Sequence, residues 1–173
     1  MATTGLPTAP DVWRWLETVP DPEIPVVSLV DLGIIRDVEI ADDAVVVTVT
    51  PTYSGCPATS VISLDIEARL KSEGVDKLRI ERRLSPPWTT DWISQEGRLK
   101  LRAYGIAPPI DGTNADGFAR RRAGALLGDN FVVACPKCNS NETTKISQFG
   151  STPCKAHYRC KTCLEPFDYF KCI

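Results

Sequence analysis

Histidine is almost missing from this chain of 173 residues, with His157 the only one, and methionine is equally rare at one. A Ser-His-Asp triad, an H-E-x-x-H zinc site or a two-histidine facial triad would each have to use His157, and none of their spacings is present. Paired Glu-x-x-His helices for a carboxylate di-iron site are absent too, as are a G-x-G-x-x-G after a strand and a ferredoxin-type C-x₄-C-x₂-C. The sequence therefore offers no catalytic set that would act alone. Long hydrophobic runs are also lacking: the longest, around Ala44 to Val49, reach about five residues against the roughly 20 of a membrane helix. No basic segment followed by an apolar core opens the chain, so a cytoplasmic protein without a membrane partner is expected.

The chain does have an ordinary globular composition, 43% apolar and 24% charged, enough for one domain with a small appendage. Its formal net charge of −2 hides an asymmetry. Residues 1–76 hold 4 Lys/Arg against 13 Asp/Glu, residues 77–134 hold 10 against 6, and residues 135–173 hold 6 against 3. An acidic front and a basic back suggest a charged docking surface or two lobes that attract, set against a mixed, solvated surface. The basic back, with Arg120-Arg-Arg122 and the lysines of the tail, and the frequent use of cysteine-rich zinc ribbons for that purpose are the motives for nucleic-acid binding. The negative total and a sequence pI near 5.5 argue against it.

Asp11 is placed to cap a short helix carrying Val12, Leu16 and Val19, which must stop at Pro20-Asp-Pro22. Asp21 to Pro25 reads as an irregular acidic loop. Ile34, Val38 and Ile40 alternate with more polar neighbours, Ala41 to Ala44 turns the chain, and Val45 to Thr50 returns it as a β-hairpin. A helix over about 58–73 carries Ile62, Ile66 and Leu70, joined by Val61 and Leu64, and Gly74 stops it. Leu78, Ile80 and Leu84 make a third strand, and Thr89 or Thr90 caps a helix through about Arg102. The expected class is α+β, an α-β-β-α-β-α sandwich over residues 1–104, then a linker over 105–130 with a short helix near Phe118–Leu127, then a small module over 131–173. Arg82, Arg83, Trp88 and Trp92 flank Pro86-Pro87. Buried tryptophans beside exposed arginines are the plainer reading there, and a partner surface the sharper one.

Six of the seven cysteines fall in the last 39 residues. Cys135-Pro-Lys-Cys138 and Cys160-Lys-Thr-Cys163 are two C-x-x-C pairs separated by 21 residues. Each pair forms a tight knuckle, and two knuckles facing one point make a tetrahedral four-sulfur site. So small a module cannot bury enough apolar surface to fold unaided, so a metal must supply much of its folding free energy. Zinc is the commoner structural choice for that geometry, an iron–sulfur centre the other. The expected cofactor is structural zinc on Cys135, Cys138, Cys160 and Cys163. Cys154 and Cys172 could replace a ligand or form a second site, and are read as spare thiols; His157 is read as a surface or packing residue.

Cys56 stands apart, in the turn Thr50-Pro-Thr-Tyr-Ser-Gly-Cys-Pro57 between a strand and a helix. Backbone amides and the helix dipole would favour an anion there and lower the thiol pKa. A small apolar residue filling the joint between sheet and helix is the alternative. The acids Asp21, Glu23 and Asp31 could line the same site, although exposed loop acids are more often solvated and Asp31 could equally close a turn before Gly33.

Asp21-Pro-Glu-Ile-Pro-Val-Val-Ser-Leu-Val-Asp-Leu-Gly33, the Cys56 loop and the helix after it resemble a family of small iron–sulfur cluster assembly proteins that includes SufT. The resemblance implies an α/β sandwich in which the cysteine matching Cys56 is a transient ligand in cluster handling. Ser85-Pro-Pro-Trp-Thr-Thr-Asp-Trp92, Tyr104-Gly-Ile-Ala-Pro-Pro109 and the tail from Gly150 to Cys172 resemble the PaaD family of phenylacetate-degradation proteins, over almost the whole chain. That resemblance implies an accessory or maturation component of the multicomponent phenylacetyl-CoA 1,2-epoxidase, a monooxygenase system whose di-iron oxygenase and flavin/iron–sulfur reductase subunits would be the partners. A structural or regulatory zinc-ribbon subunit is the alternative it leaves.

Overall fold

The computed structural model describes residues 6–53, 55–109 and 132–171. They form two compact units, Met1–Trp88 and Thr89–Ile173.

The first unit opens with helix α1, Ala9–Leu16. Thr8, not Asp11, is its cap: the Thr8 hydroxyl accepts from the Asp11 amide while the Asp11 carboxylate reaches back to the Thr8 backbone. Pro10 fits within the first turn, where no amide hydrogen is needed, so the helix begins before it. Val12 and Leu16 are buried, and the chain beyond is irregular yet still sinks Val19, Ile24, Val27, Leu29 and Leu32.

Strands β1 (Ile35–Ala41) and β2 (Ala44–Val49) make an antiparallel hairpin. Its turn residues Asp42 and Asp43 both have positive φ, 50° and 56°, the left-handed pair that a tight two-residue hairpin demands. A register shift between Ile35 and Asp37 breaks the strict alternation read from the sequence, and Ile40, beyond it towards the hairpin turn, is exposed. β2 is buried along nearly its whole length because it is the central strand. Helix α2, Thr59–Ser72, then carries the chain to β3, Leu78–Arg82, which lies parallel to β2. Ile62, Ile66 and Leu70 are buried as expected, but Val61 and Leu64 are exposed. Leu84 lies past the end of β3 and is exposed as well. Trp88 is buried and Arg82 and Arg83 are exposed, as in the plainer reading of that cluster, but Trp92 is only half-buried.

In the second unit a single 3-10 turn, Thr90–Trp92, precedes helix α3, Gln95–Ala103. The sequence predicts one helix from Thr89 or Thr90. Instead Ile93 and Ser94 are extended, and the Ser94 hydroxyl caps α3 by accepting from the Gly97 amide at 2.8 Å. Arg98 spans both pieces, donating to the Thr90 and Pro109 carbonyls. Strand β4, Ile106–Ala107, falls inside the stretch read as linker. The reason is local: this apolar pair is buried in a four-stranded sheet with β5 (Thr143–Ser147), β6 (Lys155–Cys160) and β7 (Pro166–Phe170). The order is β4-β7-β6-β5, with β4 and β7 parallel and the other pairs antiparallel. Ala107, Val133, Ala156, Tyr158, Phe167 and Tyr169 form its core, with Tyr158 stacked on Phe167 and edge-on to Tyr169. Arg120–Arg122 and the helix expected near Phe118–Leu127 lie outside the described residues. The fold is α+β as the sequence predicts.

Candidate functional site

Two turns of the same design carry the tail cysteines. After Cys135-Pro-Lys-Cys138 the chain reverses at Asn139 (φ 60°), and after Cys160-Lys-Thr-Cys163 at Leu164 (φ 63°). The Cys135 amide donates to Ser140 O and the Cys160 amide to Glu165 O, both at 2.9 Å. The knuckles are joined by Ser140 Oγ and Thr162 Oγ1 at 2.7 Å, by the Lys161 amide on Glu142 O, and by an exposed Lys137–Glu165 ion pair. Such an exposed pair contributes little on its own.

The result gathers the sulfurs of Cys135, Cys138, Cys160 and Cys163 within 4.8 Å of one another. Cys135 and Cys163 sulfurs are 3.8 Å apart, and Cys138 and Cys160 sulfurs 3.5 Å. A metal–sulfur bond of about 2.3 Å gives a tetrahedron with edges of about 3.8 Å, so the donor set fits a tetrahedral thiophilic metal. Cys135 and Cys160 are buried, Cys138 and Cys163 exposed.

Protonation tells the same story. The Cys163 amide, helped by that of Thr162, holds the Cys160 thiol down at about 6 against the opposing effect of burial. At Cys163 the Glu165 amide pulls the same way, but burial and the crowd of neighbouring sulfurs push the thiol up to about 12. Four thiolates cannot gather here without a cation to neutralise them.

The remaining tail residues lie apart from this group. Cys154 is buried, with its sulfur 3.0 Å from Thr152 Oγ1. His157 faces Asp168 across β6 and β7, with Nδ1 3.1 Å from the carboxylate. Cys172 is outside the described residues.

Cys56 is half-buried between β2 and α2. Its amide donates to Tyr53 O at 3.2 Å, and its carbonyl accepts from the Thr59 amide at 3.3 Å and hydroxyl at 2.8 Å. The expectation of a lowered thiol pKa does not hold. Burial raises it first, and the carboxylates of Glu23 and Asp21 raise it further, outweighing the Ala58 amide and the Thr59 hydroxyl. One amide at a helix start loses to desolvation plus two nearby negative charges. Thr59 escapes the sequence reading, although a Thr three residues after Cys-Pro at a helix start is a recognisable side-chain-to-backbone pattern.

Asp21 and Glu23 thus bear on Cys56 through their charge, and Asp21 is not a simple solvated acid. Asp21 is buried, and its Oδ1 accepts from the Glu23 and Ile24 amides at 3.0 and 2.8 Å. Asp31 closes its own turn: its carboxylate takes the Ser28 amide, and Ser28 Oγ takes the Asp31 amide, both at 3.0 Å. Among the described residues only the four tail cysteines gather as three or more metal-donor side chains; Cys56, Asp21, Glu23 and Asp31 do not.

Comparison with known proteins matches both units. Residues 10–81 match the family of iron–sulfur cluster assembly proteins, and residues 120–171 match the PaaD zinc beta ribbon domain. The chain is 44% identical over all 173 residues to an Escherichia coli (strain K12) protein named as a subunit of "Putative 1,2-phenylacetyl-CoA epoxidase", covering 98% of it. Over 98 residues, 56% of the chain, it is 42% identical to a Porphyromonas gingivalis "Fe-S protein maturation auxiliary factor", covering 92% of that protein. A crystal structure of the domain of unknown function DUF59 from Bacillus anthracis superposes on 54% of the chain with a TM-score of 0.51 and 29% identity, covering 90% of that domain. The tail is therefore a zinc-ribbon domain with a cysteine metal-binding site. No helix among the described residues is long and apolar enough to cross a membrane.

Proposed function

The chain belongs to the PaaD family, and from that premise we propose that it is an accessory component of a phenylacetyl-CoA 1,2-epoxidase system. Its work there is to assist maturation of an iron–sulfur or other metal centre in the oxygenase or reductase subunits. The observation that carries this reading is the full-length similarity to the Escherichia coli epoxidase protein, in a chain that joins an iron–sulfur-assembly unit to a zinc ribbon.

In this reading Cys135, Cys138, Cys160 and Cys163 hold structural zinc, which supplies folding energy to the second unit rather than chemistry. Cys56 is the working thiol, and iron–sulfur material in transit is its cargo. The raised thiol pKa keeps Cys56 protonated at neutral pH, so an empty site carries no exposed nucleophile. Asp21 and Glu23, which disfavour the thiolate, attract a cationic iron centre, so loading is coupled to release of the thiol proton. Cys56 provides a single sulfur, and the other ligands of the cargo come from donor or recipient.

A second reading, a zinc-ribbon binding subunit that transfers no metal, draws on the absence of a converging ligand set around Cys56 among the described residues. Metal analysis on protein purified without oxygen separates the two. One zinc per chain, with iron that disappears in Cys56→Ser, supports maturation. Zinc alone in both proteins, with unchanged cluster content in the partner subunits of a Cys56→Ser strain, rejects it in favour of the second.

A further inference from the structure

Helix α2 is apolar on two opposite faces. Ile62, Ile66 and Leu70 are buried within the first unit. Val61, Leu64 and Ala68 make a second row that is exposed, with Leu64 keeping 62% of its surface and Val61 44%. At about 100° per residue this row points directly away from the buried one. Isolated exposed apolar residues need no explanation, but a row in helical register, with Ala68 and Ser60 small enough for close approach, is a seam for a second helix.

The charge around the seam narrows its occupant. Residues 1–88 carry 8 Lys/Arg against 14 Asp/Glu. The cations of α2 are already engaged: Arg69 with Glu73 and Thr18, and Lys71 with Glu67. Asp65, on the flank of the row, makes no ion pair among the described residues. A second copy of this unit would set acid against acid, and an anionic membrane would be repelled likewise. A helix with Lys or Arg beside its own apolar stripe is complementary in both respects.

The row starts at Val61, in the first turn of α2, and that helix begins three residues after Cys56. We propose that the outward face of α2 seats a cationic amphipathic helix of a partner protein, one end of which is thereby delivered to the Cys56 loop. This inference rests on the functional reading above, in which the partners are the oxygenase and reductase subunits.

The test is binding of the purified full-length chain to those purified subunits, by calorimetry at low and physiological salt, with circular dichroism melts to confirm folding. Leu64→Asp should weaken binding about tenfold or more. Asp65→Lys, a charge change at the flank, should weaken it several-fold, with the loss largest at low salt. Phe149→Asp, at an exposed apolar residue of the other unit, should bind as the unsubstituted chain does. Full affinity in Leu64→Asp, or a self-association of the chain that Leu64→Asp abolishes, would overturn the inference and leave the functional reading standing. No binding of the unsubstituted chain to any of those subunits would instead overturn the functional reading and this inference with it.

Discussion

Trp88 donates its indole N–H to the carbonyl of Leu32 at 2.9 Å, joining stretches 56 residues apart. Leu32 follows the Ser28–Asp31 turn, so the last residue of the first unit clamps the loop that carries Asp21 and Glu23 past Cys56. Trp88→Phe keeps an aromatic ring and strands a buried carbonyl. It should cost about 1–2 kcal/mol in urea unfolding, while Trp92→Phe, at a half-exposed site, should cost less.

Removal of metal from the four-cysteine cluster should unfold one unit and spare the other. With a strong zinc chelator, amide resonances of β5, β6 and β7 should collapse while those of α2 and β2 stay dispersed. Cys160→Ala, which removes a buried ligand candidate, should look the same without chelator. Retained dispersion in β6 and β7 would show that the aromatic core of Tyr158, Phe167 and Tyr169 suffices on its own.

The Cys56 thiol should resist alkylation. Its pKa is raised by burial, Glu23 and Asp21, so the pH midpoint for iodoacetamide labelling, read at this residue by mass spectrometry, should lie above that of a free cysteine. Glu23→Gln removes one of the opposing charges, so the midpoint should fall and labelling at pH 7 should speed up. The linkage has a definite sign. The folded state holds this proton more tightly than the unfolded one, so the first unit should lose stability as pH climbs past about 9, and Cys56→Ala should lose less.

Gly150 sits where a side chain is resisted. A Cβ there would lie 3.1 Å from the Asp168 carboxylate oxygen that faces His157, and 3.3 Å from Cβ of Lys155. Gly150→Ala should destabilise the second unit by roughly 1 kcal/mol and displace the His157 ring resonances. Unchanged His157 resonances would mean that the 150-loop yields freely.

The parts of this molecule legible in its sequence are those written in short spacings. Two C-x-x-C pairs predict one sulfur cluster because each knuckle is built from a handful of neighbouring residues, and the sulfurs do converge. The α1 cap lies three residues before the one the sequence suggests, because Pro10 reads as a boundary although it is welcome inside a first turn. β4 is hidden because two residues carry no periodicity, and only pairing with β7 makes them a strand. Val61 and Leu64 lie on a helical face opposite Ile62, Ile66 and Leu70, and which of the two apolar faces of α2 turns inward depends on the sheet and on α1, which the segment itself does not encode. The sign of the Cys56 shift is illegible for a similar reason, since it is set first by burial of the thiol and then by the approach of Glu23 and Asp21, both products of tertiary packing.

The parallel pairing of β4 with β7 sets an order of events during synthesis. β4 leaves the ribosome long before β7 exists, and its strand partner is made only after both knuckles have been translated. The first unit, whose strands and helices all precede residue 89, can be complete while the second still lacks the strand that closes its sheet. Until the second knuckle is translated, any metal on the first has only two of its four sulfurs, so a full four-sulfur hold comes late in translation.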